Sequence, residues 1–310
     1  MPTITQGITP HLWFDNNAKQ AAEFYCSLFP RSEISNETIL HDTPSDTPSG
    51  DTDIVTFVLG GQPFMAMSAG PLFKFNPSLS FMVNFDPSRD PDARENLDKA
   101  WGMLSEGGKA LMPLQEYPFS KRFGWIEDKY GLSWQLILTN PEGEERPFII
   151  PALMFTGEKA GHAEDALNFY LSVFRHAKKG SMIRFPKGMQ PDKEDTIQFA
   201  DLMLEGTWFA VMDSAYPHGF DFNEAISFMV YCEDQKSIDY YWDKLSAVPE
   251  AEQCGWLKDK FGVSWQIVPT AMDKMMASGT GEQIDRVTQA FLPMKKLIIA
   301  DLEKAYKGGE

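Results

Sequence analysis

The sequence predicts an α+β protein built as an internal duplication, with two βαβββ modules in each half. Three observations predict it. An apolar strand feeding a helix occurs twice, paired β-type runs follow each helix, and one tryptophan signature closes each half. The length of 310 residues agrees, since roughly 150 residues per domain gives two.

Ile8-Thr9-Pro10-His11-Leu12-Trp13-Phe14 matches Ile149-Ile150-Pro151-Ala152-Leu153-Met154-Phe155, each with the length and apolar character of a strand. The helix that follows places Ala18, Ala21, Ala22, Tyr25, Leu28 and Phe29 on one face and stops at Pro30. In the second half Ala166, Phe169, Tyr170, Val173 and Phe174 repeat that stripe. Runs 54–59 and 64–67 then read as a hairpin, as do 196–204 and 208–212. A second strand-helix unit opens on Ser80-Phe81-Met82-Val83, matched by Ser227-Phe228-Met229-Val230. Its helix carries Trp101 and Leu104, or Tyr241, Trp242 and Leu245.

The strongest match is Gly124-Trp125-Ile126-Glu127-Asp128-Lys129-Tyr130-Gly131-Leu132-Ser133-Trp134-Gln135 against residues 255–266, identical at eight of twelve positions. Its Asp-Lys-Tyr/Phe-Gly centre has the composition of a turn, with Asp128 and Asp259 bonding the backbone that follows them and glycine free to take positive φ. Residues 42–53 and 186–195 read as solvated loops, and 140–147 as a linker. The expected divisions are a first domain over 1–143, a second over 144–271, and a helical extension over 272–310 on or beside the second. Residues 283–297 read as an amphipathic helix, interrupted near Pro293, that caps a sheet edge or a partner.

A formal charge of −16 repels phosphate backbones and anionic lipid heads, which argues against nucleic-acid and membrane partners. No opening basic and apolar leader pattern and no bilayer-length apolar run is found, so the expected location is cytoplasmic. Cys26, Cys232 and Cys254 lack the C-x-x-C spacing of a metal or redox site and read as reduced packing thiols. The paired glycines Gly60-Gly61 and Gly107-Gly108 do not supply the G-x-G turn of a usual S-adenosylmethionine site, so no cofactor is expected.

The order Pro-x-Leu-x-Phe, Phe-Tyr-x-x-(Leu/Val)-Phe and Gly-Trp-x-x-Asp-Lys-(Tyr/Phe)-Gly-x-Ser-Trp-Gln, present twice, resembles the PhnB-like branch of the vicinal-oxygen-chelate superfamily. Members of that branch are often labelled demethylubiquinone methyltransferase-like, and the superfamily includes glyoxalases, extradiol dioxygenases and bleomycin-resistance proteins. The resemblance implies tandem glyoxalase-like domains, in which paired βαβββ modules curl a mixed sheet into a cup with helices outside. In metal-dependent relatives four ligands line that cup.

Carried over, those ligand positions fall on or near Pro10, Met67, Ser80 and Gln135, and on Pro151, Met212, Ser227 and Gln266. Proline has no donor side chain, methionine is too soft for hard divalent ions, and serine and glutamine are weak ligands, so the metal quartet is missing from both halves. Strand parity adds Leu12, Phe14, Met82 and Asn84 to the first cup and Leu153, Phe155, Met229 and Tyr231 to the second. Trp125 and Trp256 are candidate aromatic walls. Trp134, Trp265 and His11 are expected on the opposite face, under the helices. Asp213, beside Met212, and Glu224 are weak candidates for a general base.

Two function classes follow. One is a metal-free cup holding a small aromatic or apolar metabolite or drug; the other is a lyase, isomerase or dioxygenase with an unconventional metal or general-base site. Methyl transfer finds no supporting chemistry in the residues. Duplication implies a pseudo-dimer within one chain, with further homodimerisation left open, as is whether modules pair within a half or between halves.

Overall fold

The computed structural model describes residues 7–41, 43, 47, 50–140 and 142–309. The expected loop 42–53 and linker 140–147 lie partly outside the described residues. In the first half the elements are β1 (Ile8–Phe14), α1 (Ala18–Leu28), β2 (Glu33–Leu40), β3 (Thr52–Leu59), β4 (Gln62–Ser68), β5 (Leu79–Phe85), α2 (Ala93–Ser105), β6 (Lys109–Tyr117), β7 (Ser120–Glu127) and β8 (Ser133–Leu138). The second half has β9 (Ile149–Phe155), α3 (Ala163–Val173), β10 (Ala177–Arg184), β11 (Ile197–Leu204), β12 (Thr207–Asp213), β13 (Ile226–Cys232), α4 (Gln235–Leu245), β14 (Trp256–Lys258) and β15 (Ser264–Pro269). Helices α5 (Thr270–Ser278), α6 (Gly281–Phe291) and α7 (Ile299–Lys307) close the chain.

These strands form two mixed sheets, and each sheet takes one module from each half. The order of one is β14-β15-β13-β1-β4-β3-β2, and of the other β10-β11-β12-β9-β5-β8-β7-β6. The joints are antiparallel: β1 pairs with β13, bringing Thr9 opposite Met229 and His11 opposite Ser227, and β5 pairs with β9, bringing Ser80 opposite Ala152. Modules therefore exchange between halves. Backbone hydrogen bonds across these joints satisfy strand edges that a separate half would leave open.

The helices cover the outer faces as their stripes require. Ala18, Ala21, Ala22 and Tyr25 of α1 are buried, as are Ala166, Leu167, Tyr170 and Val173 of α3. Trp134 and Trp265 lie beneath them, as their parity predicts: Trp134 sits 5.1 Å from Tyr25 and Trp265 5.5 Å from Tyr170, ring centre to ring centre. Burying an indole of this kind contributes roughly 4–6 kcal/mol from apolar area alone.

The tryptophan signature is an electrostatic knot as well as a hairpin. The Asp259 carboxylate accepts from the Phe261 and Val263 amides at 2.9 and 3.0 Å, from the Trp265 indole at 2.9 Å and from the Tyr170 hydroxyl at 2.8 Å. Asp128 accepts from Tyr130, Leu132 and Trp134 in the same way. Burial pushes both carboxyls up and the donated hydrogen bonds pull them down. Gly131 and Gly262, both at φ +86°, complete the turns in a conformation that a Cβ would strain.

The fourth module departs from the expected pattern. Residues 246–255 connect α4 to Trp256, where residues 106–124 serve in the first half and include the whole of β6. The shorter connection leaves no room for that strand. Its edge is met instead by the end of the chain, the Cys254 and Gly255 amides donating to the carbonyls of Met294 and Lys295 at 2.7 Å each.

Two outcomes are expected. Asp259→Ala leaves four donors unmet and should lower the unfolding free energy by about 3–5 kcal/mol in urea denaturation. Residues 144–310 expressed alone should not sediment as a folded monomer, because β9 and β13 lose their partners; a native-like monomer by ultracentrifugation and circular dichroism would contradict the exchange.

Candidate functional site

The sheet that joins the first and fourth modules curls around a cavity of about 590 Å³. Thr9 and His11 of β1, Met65 and Met67 of β4, Met229 and Tyr231 of β13, Gln266 and Val268 of β15 and Trp256 of β14 face into it. Thr38, Ile54 and Thr56 form one rim. The far wall belongs to the end of the chain: Met272, Asp273, Met276 and Ala277 of α5, Phe291 of α6, and Leu297. The extension thus closes a cup that also contains first-half strands. It is anchored there by Val287, Phe291 and Leu302, buried in a cluster with Leu40 and Ile54.

Met67, Met229, Tyr231 and Gln266 line the cavity on the face that strand parity gives them, and Trp256, whose parity the sequence leaves open, lines it as well. Ser227 stands behind Gln266, whose Nε2 donates to its Oγ at 2.9 Å. The first strand is the correction. Leu12 and Phe14 belong to the core beneath the helices, Phe14 lying 4.9 Å from Phe75, while Thr9 and His11 take the cup face and Pro10 does not. Strand β1 is buried on both faces almost throughout, so no polar–apolar alternation sets its phase.

The same slip holds in β9. Leu153 and Phe155 are core residues and Pro151 stands opposite Phe81, while Ile150 and Ala152 join Met82 and Ala210 in an apolar cluster on the cup face of the other sheet. Ile137, Phe199, Trp208 and Met212 pack against that cluster. There Gln135 donates to Ser80 at 2.9 Å, as Gln266 does to Ser227. Asn84 donates to the Pro147 carbonyl and Trp125 to Ser133. The Arg146 guanidinium lies 3.8 Å from the centre of the Trp208 ring and 2.6 Å from Asp201, so a linker side chain occupies one end of the second cup.

The two weak base candidates have structural duties. Asp213 accepts from the Gly161, Ala163 and Ile197 amides at 2.8–3.0 Å and holds the start of α3. Glu224 pairs with Lys258 at 2.8 Å. Neither faces the cavity.

His11, Tyr231 and Asp273 do. His11 is 3% exposed, its Nδ1 makes no hydrogen bond, and its ring meets Trp256 edge-on at 5.3 Å. Burial pulls its pKa down to about 3, so the imidazole is neutral. Burial likewise pushes Asp273 up to about 7 and the Tyr231 hydroxyl well above its ordinary value. Asp273 had a legible signal, sharing a helical face with Met276 and Ala277 at three- and four-residue steps. A lone acid on an apolar helical face is out of pattern. His11 had none, for the reason given for β1.

The cavity's donor set does not fit the hard divalent ion of metal-dependent relatives. Its lining offers the Met65 and Met67 thioethers, the Gln266 amide, the His11 imidazole and a single carboxylate, Asp273, with no second carboxylate or imidazole to complete a hard-ion set. Among the described residues no three His, Cys, Asp or Glu side chains cluster. Nor is any described helix long and apolar enough to cross a membrane.

Paired βαβββ-type modules, curled mixed sheets and outer helices define a tandem protein of the vicinal-oxygen-chelate superfamily. The chain belongs to the family described as 3-demethylubiquinone-9 3-methyltransferase, whose sequence profile matches it twice, over residues 6–137 and 147–268. A PhnB protein from Bacillus cereus bearing the same family description is 40% identical over 43% of this chain and 100% of its own, with a TM-score of 0.38. Glyoxalase I from Zea mays is 12% identical, covering 85% of this chain and 92% of its own at a TM-score of 0.50, a likeness of fold. No curated protein matches the chain.

The pKa shifts set a pH dependence. A histidine held at about 3, against 6.5 when free, contributes stability that is present above pH 6.5 and lost as pH falls towards 3. At about 1.4 kcal/mol per pH unit the loss is on the order of 4–5 kcal/mol. His11→Gln should flatten the decline in unfolding free energy between pH 6 and 4. Asp273, raised from 3.8 to about 7, acts oppositely: its contribution is present below pH 3.8 and lost as pH rises through 7. Asp273→Asn should therefore raise Tm at pH 8 and leave it nearly unchanged at pH 4.

Proposed function

We propose that the chain is a metal-free binding protein for one small aromatic or apolar organic molecule, held in the cup between the first and fourth modules. The difference between the two cups carries this reading. One encloses about 590 Å³ lined by methionines, Trp256 and Tyr231, with Thr9, Thr56 and Gln266 as neutral polar groups. In the other, Met82, Ile150, Ala152 and Ala210 pack on one another, and Arg146 lies on Trp208. A mostly apolar cavity with a few fixed polar groups suits a flat organic ligand.

A second reading, proton-transfer catalysis, is favoured by Asp273 alone. A carboxyl pushed to about 7 inside an apolar cavity is matched to general acid–base work near neutrality. The family description is not carried over to this chain, because its strand-to-helix turns lack a Gly-rich S-adenosylmethionine site. The −16 charge supports a protein without nucleic-acid or anionic-membrane partners.

Calorimetry of ligands selected by a thermal-shift screen of aromatic metabolites tests the reading. One site per chain is expected. Gln266→Leu should weaken binding about tenfold, the value of one lost hydrogen bond in a dry site, and Gln135→Leu should leave affinity within about twofold. Two equal sites, or equal effects of the two substitutions, would refute the asymmetry; consumption of a bound compound, abolished by Asp273→Asn, would establish catalysis.

A further inference from the structure

The cavity holds one acidic side chain, Asp273, and no lysine or arginine among its lining residues. Asp273 is half-buried and forms no ion pair with a basic side chain among the described residues, and burial pushes its carboxyl up. A group in that position either takes up a proton or meets a cation. Its surroundings suit a cation: the Trp256 and Tyr231 rings line the cavity, the methionine sulfurs are polarisable, and His11 is neutral and does not repel positive charge. The overall charge of −16 adds a field of the same sense.

Asp273 stands outside both family-profile matches, the second of which ends at residue 268. It is therefore an addition of the C-terminal extension, and it stands in the wall that turns an open cup into a cavity. Retaining a half-buried, unpaired carboxylate whose ionisation weakens the fold towards neutral pH is explained if a ligand compensates it.

We propose that this cavity takes an arylalkylamine, a flat aromatic ring bearing an aliphatic amine that is cationic at neutral pH, with its ammonium group at Asp273 and its ring against Trp256. His11 Nδ1, buried and without a partner, supplies a hydrogen bond to a second polar group on the same ligand. The proposal rests on the small-molecule reading of the cavity and adds the charge and class of the ligand.

Three indoles of nearly the same size separate the two statements. Tryptamine is a cation, indole-3-ethanol is neutral and indole-3-acetate is an anion, and each can be titrated calorimetrically into the full chain at pH 7.5. Tryptamine should bind about tenfold or more tightly than indole-3-ethanol, and indole-3-acetate more weakly than either. Asp273→Asn should erase the tryptamine advantage and change indole-3-ethanol binding by less than about twofold. Its unfolding curve checks that the variant is folded.

Equal or tighter binding of indole-3-acetate, or tryptamine affinity unchanged by Asp273→Asn, would overturn the cationic assignment. Indole-3-ethanol binding that is lost in Gln266→Leu but shows no charge preference would leave the cavity reading standing and remove this one. Absence of heat and of thermal shift with all three would remove both.

Discussion

The antiparallel joints between β1 and β13 and between β5 and β9 are the constraint on which the rest of the molecule depends. A mixed sheet of this curvature needs both modules to enclose space, and each joint brings together modules that lie in different halves of the chain. The cavity wall is consequently a composite: Thr9 and Met67 come from one end of the sequence, Met229 and Gln266 from the other. Disrupting either joint exposes two strand edges and removes the floor of a cup at the same time. Duplication within one chain makes the arrangement independent of concentration, because the two halves cannot diffuse apart.

Near-symmetry of the backbone has not kept the two cups alike. The serine–glutamine pairs, Ser80 with Gln135 and Ser227 with Gln266, are the same to 2.9 Å, and the buried aspartates of the two signatures share two amide donors and an indole, Asp259 adding the Tyr170 hydroxyl. Divergence is concentrated at the mouths. In one, the linker supplies Arg146, which lies on Trp208 and pairs with Asp201; in the other, a strand is missing and residues 294–295 take its edge, drawing the terminal helices across the opening. Small changes in the connecting segments have thus filled one cup and roofed the other.

The functional groups follow the same division. Residues shared by both halves, Asp128 and Asp259 above all, hold the hairpins and contribute to stability. His11 has Ala152 as its equivalent across the repeat, and Asp273 has no equivalent because it lies past the second copy. A repeat comparison draws attention to what is shared, so it leads to the scaffold and away from the groups that make one cavity different.

The sequence by itself determined the duplication, the strand-then-helix opening of each module and the tryptophans beneath the helices. These rest on local periodicity and turn chemistry, which are written in neighbouring residues. It put Met67, Met229, Tyr231 and Gln266 on the cup face and left Trp256 open, but set β1 and β9 one residue out of phase, since strands buried on both sides carry no alternation. Only the tertiary structure decided that modules exchange between halves, that His11 rather than Pro10 faces the cavity, that Asp213 holds a helix start, and that Asp273 closes the site. Each of these is a pairing between segments far apart in the chain, fixed by which strand edges and apolar faces satisfy one another, and no local pattern encodes that choice.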